Sequence, residues 1–314
     1  MTAAEAMPVP EESKKQPLAV RVGAELVGSF FICFAIYTIC TLDAIVSNLN
    51  MAFIALMTGA AYAVMTLVFG KIAGGQFNPA VSIAAMLTGK THALDGILYI
   101  IAQLRGGIGA CAALRLLLPT SEQVPFKSWL SLAVNGFDKA SISYSTLSSL
   151  GLSFGITLAV VVELIAGLII VATAMRSMGE HGESNTKHAI AMGLAYAVGT
   201  TITYPVTGAA LNPARATGIA IFAQNPGLNE EPLQQLWVYW ICPVLAAAVV
   251  ALVIIVFTMM LSPNKKNAKA DEGDDAQGEE SSETEEDLHA DGEQDEQDKQ
   301  SDSQSDADEG IENN

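Results

Sequence analysis

Two short apolar stretches, 78–87 and 212–222, limit this chain more than anything else in it. Each opens with Asn-Pro-Ala and follows a glycine-rich run, Ala73-Gly74-Gly75-Gln76-Phe77 in one case and Thr207-Gly208-Ala209-Ala210-Leu211 in the other. Asn is a common helix N-cap and Pro is favoured at the first helical position, so one Asn-Pro-Ala is an ordinary helix start. The surroundings make the pair informative. Six longer apolar runs flank them, at about 22–42, 51–69, 93–118 (interrupted by Arg105), 154–175, 189–204 and 236–261. Those six have the ~20 residues needed to cross a bilayer as helices; the two short pieces do not and read as re-entrant. Irregular backbone at membrane depth persists only when buried in protein or lining a watery cavity. The glycine-rich runs therefore imply a cavity.

The chain repeats internally. Ala24-Glu25-Leu26-Val27 matches Val162-Glu163-Leu164-Ile165 at an offset of 138, the Asn-Pro-Ala pair at 134, and Ala102-Gln103 matches Tyr239-Trp240 at 137. Each half holds three spans and one half-span. Three crossings put the second half in upside down, and inverted repeats with broken helices place the functional site near the midplane. With both termini on the cytoplasmic side, that side collects ten basic residues, among them Lys14, Lys15, Arg21, Lys71, Lys90, Arg176 and Lys187, against Lys127, Lys139 and Arg115 opposite. The bias favours cytoplasmic termini. The start of the chain is polar and has no apolar core with a small-residue cleavage site, so no cleaved signal peptide is expected.

The net charge of −17 belongs to one segment. From Asp271 onward there are ten Asp, ten Glu and one Lys, a charge of −19 that leaves +2 for the rest. Three parts follow: a cytoplasmic N-terminal segment 1–20, a membrane-embedded domain 21–261 with repeats at about 21–118 and 154–261, and an acidic tail 262–314. The tail buries too little apolar area to offset its ordering entropy and is expected to be disordered. Its Ser282, Thr284, Ser303 and Ser305 suit an acid-directed kinase, but a solvating bristle is at least as good a reading. Cys33, Cys40, Cys111 and Cys242 lie in apolar runs without metal-type spacing and read as buried thiols.

Gly74-Gly75-Gln76-Phe77-Asn78-Pro79-Ala80-Val81-Ser82 resembles the first signature loop of the aquaporin (major intrinsic protein) family, and Thr207-Gly208-Ala209-Ala210-Leu211-Asn212-Pro213-Ala214-Arg215 resembles the second. Glu25, Gln103, Glu163 and Tyr239-Trp240-Ile241-Cys242-Pro243 also match family patterns, so the likeness runs from about Arg21 to Leu261. It implies an all-α membrane protein: a right-handed bundle of six transmembrane helices plus two re-entrant half-helices, arranged as an inverted repeat. It implies a homotetramer with one pore per subunit, passive conduction of water or small neutral solutes, no catalysis, no cofactor or metal, and lipid rather than nucleic acid as surroundings.

The chemistry of such a pore can be stated. Each half-helix start carries unsatisfied N–H groups and roughly +0.5 elementary charge. Two of them facing each other at the midplane repel cations. The side-chain amides of Asn78 and Asn212 would donate to a passing water and turn both its hydrogens outward, breaking a proton wire. Pro79 and Pro213 fix the first turns, and the carbonyls of Gly74, Gly75, Gln76, Phe77, Gly208, Ala210 and Leu211 are expected to offer an acceptor ladder. The resemblance implies a constriction at Arg215 together with Thr58, Thr200 and Ala209. Strict water channels usually place an aromatic and a histidine at the two threonine positions, and the glycerol-conducting branch usually has Asp where this chain has Ala216. Neither pattern is matched. Water is the leading solute, with urea, ammonia or glycerol as the alternative.

Several residues carry competing readings. Glu25 and Glu163 are buried acids, read as braces for the re-entrant loops in preference to a proton relay. Arg105 is expected to face loop polar groups or a buried acid. The outer connection 119–150 reads as a solvated linker in preference to a vestibule wall, and His181 and His188 as solvated loop histidines in preference to a pH gate. A secondary transporter could share the inverted repeat, but ion coupling needs a titratable cluster and only Arg215 is expected in the cavity. A closed-pore structural membrane protein is the third class, and the intact pore motifs argue against it.

Overall fold

The computed structural model describes residues 16–46, 50–225 and 227–261. The tail 262–314, its phosphorylatable residues and most of the N-terminal segment lie outside the described residues. The described chain forms helices α1 (Leu18–Val46), α2 (Met51–Ala73), α3 (Pro79–Leu87), α4 (Ala93–Leu117), α5 (Phe126–Leu130), α6 (Tyr144–Ser148), α7 (Ile156–Ser177), α8 (Thr186–Thr207), α9 (Pro213–Phe222), α10 (Pro232–Gln235) and α11 (Val238–Leu261). Six of these helical stretches are long and apolar enough to cross a membrane, and α3 and α9 are the two half-helices. Among the described residues there are no strands.

The two halves are built by the same local rules. The Asn50 side chain caps α2 by accepting from Phe53 N–H, and Asn185 caps α8 by accepting from His188 N–H. Both helices end on a left-handed glycine, Gly74 at φ 93° and Gly208 at φ 71°, whose N–H closes on Gly70 and Tyr204 respectively. A glycine there turns the chain sharply inward without the cost of a Cβ in that region. The loops then reach Asn78 and Asn212, which start α3 and α9 with proline at the first position. Each half-helix also crosses over to the other half: α3 packs on α11 and α7 as well as α4, and α9 packs on α4 as well as α11 and α10.

The helices α2 and α8 meet at Gly59 and Gly193. A Cβ on Gly59 would run into the Gly193 carbonyl, and one on Gly193 would stand 2.9 Å from the Gly59 carbonyl. This approach draws together the faces that carry Thr58 and Tyr62 on one side and Tyr196 and Thr200 on the other. Large apolar side chains such as Leu56, Leu67, Leu194, Leu252 and Phe257 point outward, as a lipid environment allows.

Three expectations are corrected. Arg105 does not face loop polar groups or a buried acid: it is exposed, and it makes no hydrogen bond or ion pair among the described residues. Helical register explains this, because Arg105 continues the outward stripe of Leu94, Ile97 and Ile101. The connection 119–150 is not a solvated linker. Trp129, Leu130, Ala133, Val134 and Asn135 are buried, the Trp129 indole N–H donates to Pro119 O at 2.8 Å, and Gly136 N–H donates to Thr207 O at 3.2 Å. His188 is not a loop residue. Capping by Asn185 starts α8 before it, and it lies fully buried with Nδ1 2.7 Å from Ser177 Oγ. His181 is exposed.

Candidate functional site: the meeting of the two half-helices

In each half-helix the asparagine side chain accepts from the backbone two residues on, Ala80 N–H to Asn78 Oδ1 at 2.9 Å and Ala214 N–H to Asn212 Oδ1 at 2.8 Å. Because the oxygen is held by its own helix, the NH2 group faces away from it. Asn78 Nδ2 donates to Leu211 O at 3.0 Å, and Asn212 Nδ2 donates to Phe77 O at 2.7 Å. Each asparagine thus ties to the carbonyl just before the other. Those carbonyls face the midplane because Phe77 and Leu211 both adopt left-handed backbone, at φ 46° and 54°. Non-glycine residues in that region carry a local cost, met here by the bonds on either side.

The backbone N–H groups of the loops are collected by the two acids. Glu25 accepts from Gln76 N–H at 2.9 Å, from Phe77 N–H at 2.7 Å and from Gln103 Nε2 at 2.8 Å. Glu163 accepts from Ala210 N–H and Leu211 N–H, each at 3.0 Å, and from the Thr207 hydroxyl. Both acids are fully buried and every contact they make is as an acceptor from a loop or its support.

Arg215 lies one turn into α9 and is buried. Its Nη1 donates to Asn135 Oδ1, and its Nη2 donates to Gly208 O at 3.1 Å and to Ala133 O at 3.3 Å. Its Nε has no hydrogen-bond partner. The Asn135 amide donates in turn to Thr207 O at 3.1 Å and Gly208 O at 2.9 Å. Gly208 O therefore accepts twice, which fills its two lone pairs. Phe77 O and Leu211 O are likewise engaged and Ala210 O accepts from Asn212 N–H, so four carbonyls of the expected ladder already hold protein donors. Thr58, Thr200 and Ala209 are all buried, and the Thr200 hydroxyl has no partner.

Three residues at this site are absent from the sequence reading. Asn135 had no local signal, since only the folded outer connection brings it to Arg215. Tyr62 and Tyr196 did have one. They lie four residues after Thr58 and four before Thr200, the spacing that shares a helix face. Asn212 Nδ2 donates to Tyr62 Oη and Asn78 Nδ2 to Tyr196 Oη, both at 2.8 Å. The two rings stack with centroids 3.2 Å apart and planes 3° from parallel.

Cavities lie nearer the two ends. One of about 580 Å³ is lined by Gly74, Lys90, Thr91, Gly182 and neighbouring residues, and one of about 270 Å³ by Val134, Asn135, Ser141 and Leu228 among others. At the first, the segment after α7 closes over the first loop, with Lys90 Nζ donating to Gly179 O at 2.8 Å and Met178 O at 3.2 Å. Among the described residues no group of His, Cys, Asp and Glu is placed to hold a metal.

Comparison with known proteins agrees with this geometry. Aquaporin Z of Photorhabdus laumondii is 32% identical over 232 residues, covering 73% of this chain and 93% of that protein. Aquaporin Z of Brucella melitensis is 31% identical over 236 residues, covering 74% and 95%. The X-ray structure of the aquaglyceroporin from Plasmodium falciparum shares the fold at a TM-score of 0.56 and 19% identity, covering 75% of this chain and 94% of that one. Residues 12–254 match the family described as Major intrinsic protein. With two half-helices joined at their starts inside six membrane-spanning helices, the chain belongs to the major intrinsic protein family of membrane channels.

Proposed function

We propose that this channel conducts water down its osmotic gradient and excludes protons and other ions. The carrying observation is the reciprocal tie of Asn78 to Leu211 O and of Asn212 to Phe77 O. It holds two positive helix starts against each other in the middle of the protein, where a cation would lose hydration without compensation. A water that accepts from the asparagines has both hydrogens turned away from them, so no continuous proton wire runs through the site. Arg215 adds a permanent positive charge on the outer side, and its unpartnered Nε is a donor available to a solute. Thr58, Thr200 and Ala209 complete the constriction in this reading, with the Thr200 hydroxyl as a further polar group. The names of the two bacterial relatives support water as the solute. Glycerol, urea and ammonia are the alternative, favoured by the small side chains at positions 58, 200 and 209.

The chain assembles as a homotetramer with its termini in the cytoplasm, in keeping with its outward apolar faces and the distribution of Lys and Arg. The test is stopped-flow light scattering on proteoliposomes. Shrinkage in a sucrose gradient should be faster than in empty liposomes, while isotonic glycerol and urea produce no fast swelling. Fast swelling in either would remove water selectivity, and shrinkage no faster than lipid alone would remove the water-channel reading.

A further inference from the structure

An asparagine amide has two hydrogens to donate. For Asn78 one goes to Leu211 O and the other to Tyr196 Oη; for Asn212 one goes to Phe77 O and the other to Tyr62 Oη. In this state neither amide has a donor left for a permeating molecule. The phenol oxygens stand where a water oxygen would have to stand. Between them, rings stacked at a centroid distance of 3.2 Å leave no room for a water. Both tyrosines are buried, at 2% and 0% exposure, and neither cavity is lined by them or by the asparagines.

We propose that Tyr62 and Tyr196 form a second selectivity point at the midplane, a two-leaf gate latched by Asn78 and Asn212. This rests on the reading of the chain as a water channel and names a step that such conduction must contain. A permeant molecule has to displace both phenol oxygens from the amides and part the rings. The site therefore selects a small molecule whose oxygen is at least as good an acceptor as a phenol, which water satisfies. Bulkier solutes meet the rings even where positions 58, 200 and 209 would admit them. The latch and the leaf are separable. The hydroxyls hold the rings closed, and the rings set the width.

Two double variants test the two parts, in proteoliposomes carrying the full chain and matched for protein content. Tyr62→Phe with Tyr196→Phe keeps both rings and removes the latch. Two hydrogen bonds no longer oppose opening, so water permeability per channel should rise about tenfold while glycerol stays excluded. Tyr62→Val with Tyr196→Val removes the leaves, so water permeability should rise at least as far and isotonic glycerol should now cause swelling. Should the valine pair not give monodisperse protein, Tyr62→Val alone gives the same reading with a smaller rise. Unchanged water permeability in the phenylalanine pair overturns the latch. Continued glycerol exclusion in a folded valine variant overturns the leaf. Water flux in the wild type that neither pair alters removes the gate and leaves the channel standing. Absence of water flux in the wild type and in both pairs overturns the channel reading and the gate with it.

Discussion

In the first re-entrant loop, Glu25 gathers two backbone N–H groups and the amide of Gln103, which also donates to Ser82 Oγ at 2.9 Å. In the second, Glu163 gathers the two equivalent N–H groups and a hydroxyl from Thr207, a residue of the helix that leads into the loop. The position that corresponds to Gln103 is Trp240, whose indole N–H donates to Thr217 Oγ1 at 3.0 Å instead. Three residues after the asparagine the halves differ again. Val81 is buried among apolar neighbours, whereas Arg215 reaches Gly208 O and the outer connection. The inner geometry, cap to proline to crossed amide, is common to both halves. The surroundings are not. The shared part serves the midplane, which needs two equal and opposed helix starts. The unshared part makes the two loops different, with the Arg215 guanidinium beside the second where the first has the Val81 side chain.

That comparison can be broken at its base. Glu163→Ala leaves the Ala210 and Leu211 N–H groups without an acceptor, while the Thr207 hydroxyl keeps Thr203 O at 3.0 Å, and should cost about 3–5 kcal/mol, with Glu25→Ala close behind. Thermal unfolding in detergent reads this directly, and an alanine variant as stable as the wild type would show that its loop is held some other way. Glu163→Gln keeps the shape of the brace. It should lower permeability or stability without producing a proton current in vesicles loaded with a pH-sensitive dye. The halves should separate at their third spans. Gln103→Leu removes a donor to Glu25 and another to Ser82, and is expected to cost about 1–3 kcal/mol, against about 0.5–1.5 kcal/mol for Trp240→Phe. Equal losses would mean that the support of the first loop is not special.

The asymmetry of charge is tested by making the halves alike. Arg215→Val puts the apolar residue of the first half into the second. Water flux should persist, while proton or potassium leak rises about tenfold, the effect of roughly 1.4 kcal/mol off a barrier. An unchanged leak would assign ion exclusion to the helix starts alone. The smallest effect belongs to Asn135→Ala, which takes one anchor from the Arg215 guanidinium. A loss near 1 kcal/mol in placing that group corresponds to a change in water permeability of up to about fivefold, with the melting temperature nearly unmoved. A large fall in melting temperature would make Asn135 a structural tie for the outer connection first.

Much of this was legible before any coordinates. Bilayer thickness converts apolar run length into spans and half-spans, and Asn-Pro at the head of each half-span is a cap followed by a first-turn proline. The asparagines singled out on that basis, and the acids and arginine brought in by the internal repeat and the family resemblance, are the residues whose hydrogen bonds the fold now describes. What stayed hidden depended on direction and on distance along the chain. Hydropathy counted Arg105 as an interruption of a span, but register on α4 turns it outward. Asn135 and Ala133 gave no pattern because the fold of the outer connection is decided by what it lands on. Tyr62 and Tyr196 sit inside apolar runs where hydropathy does not set them apart, and only their four-residue spacing from Thr58 and Thr200 marks them.

The crossed amides also bear on how the protein is made. Asn78 finds its carbonyl partner at Leu211, and Asn212 finds its own at Phe77. The ribosome adds 134 residues between the two asparagines, which takes on the order of ten seconds at ~5–20 residues per second. Throughout that interval the Asn78 amide and the Phe77 carbonyl lack the partners they hold in the folded protein. Completion of the first half is therefore a late event in synthesis, set by the arrival of the second.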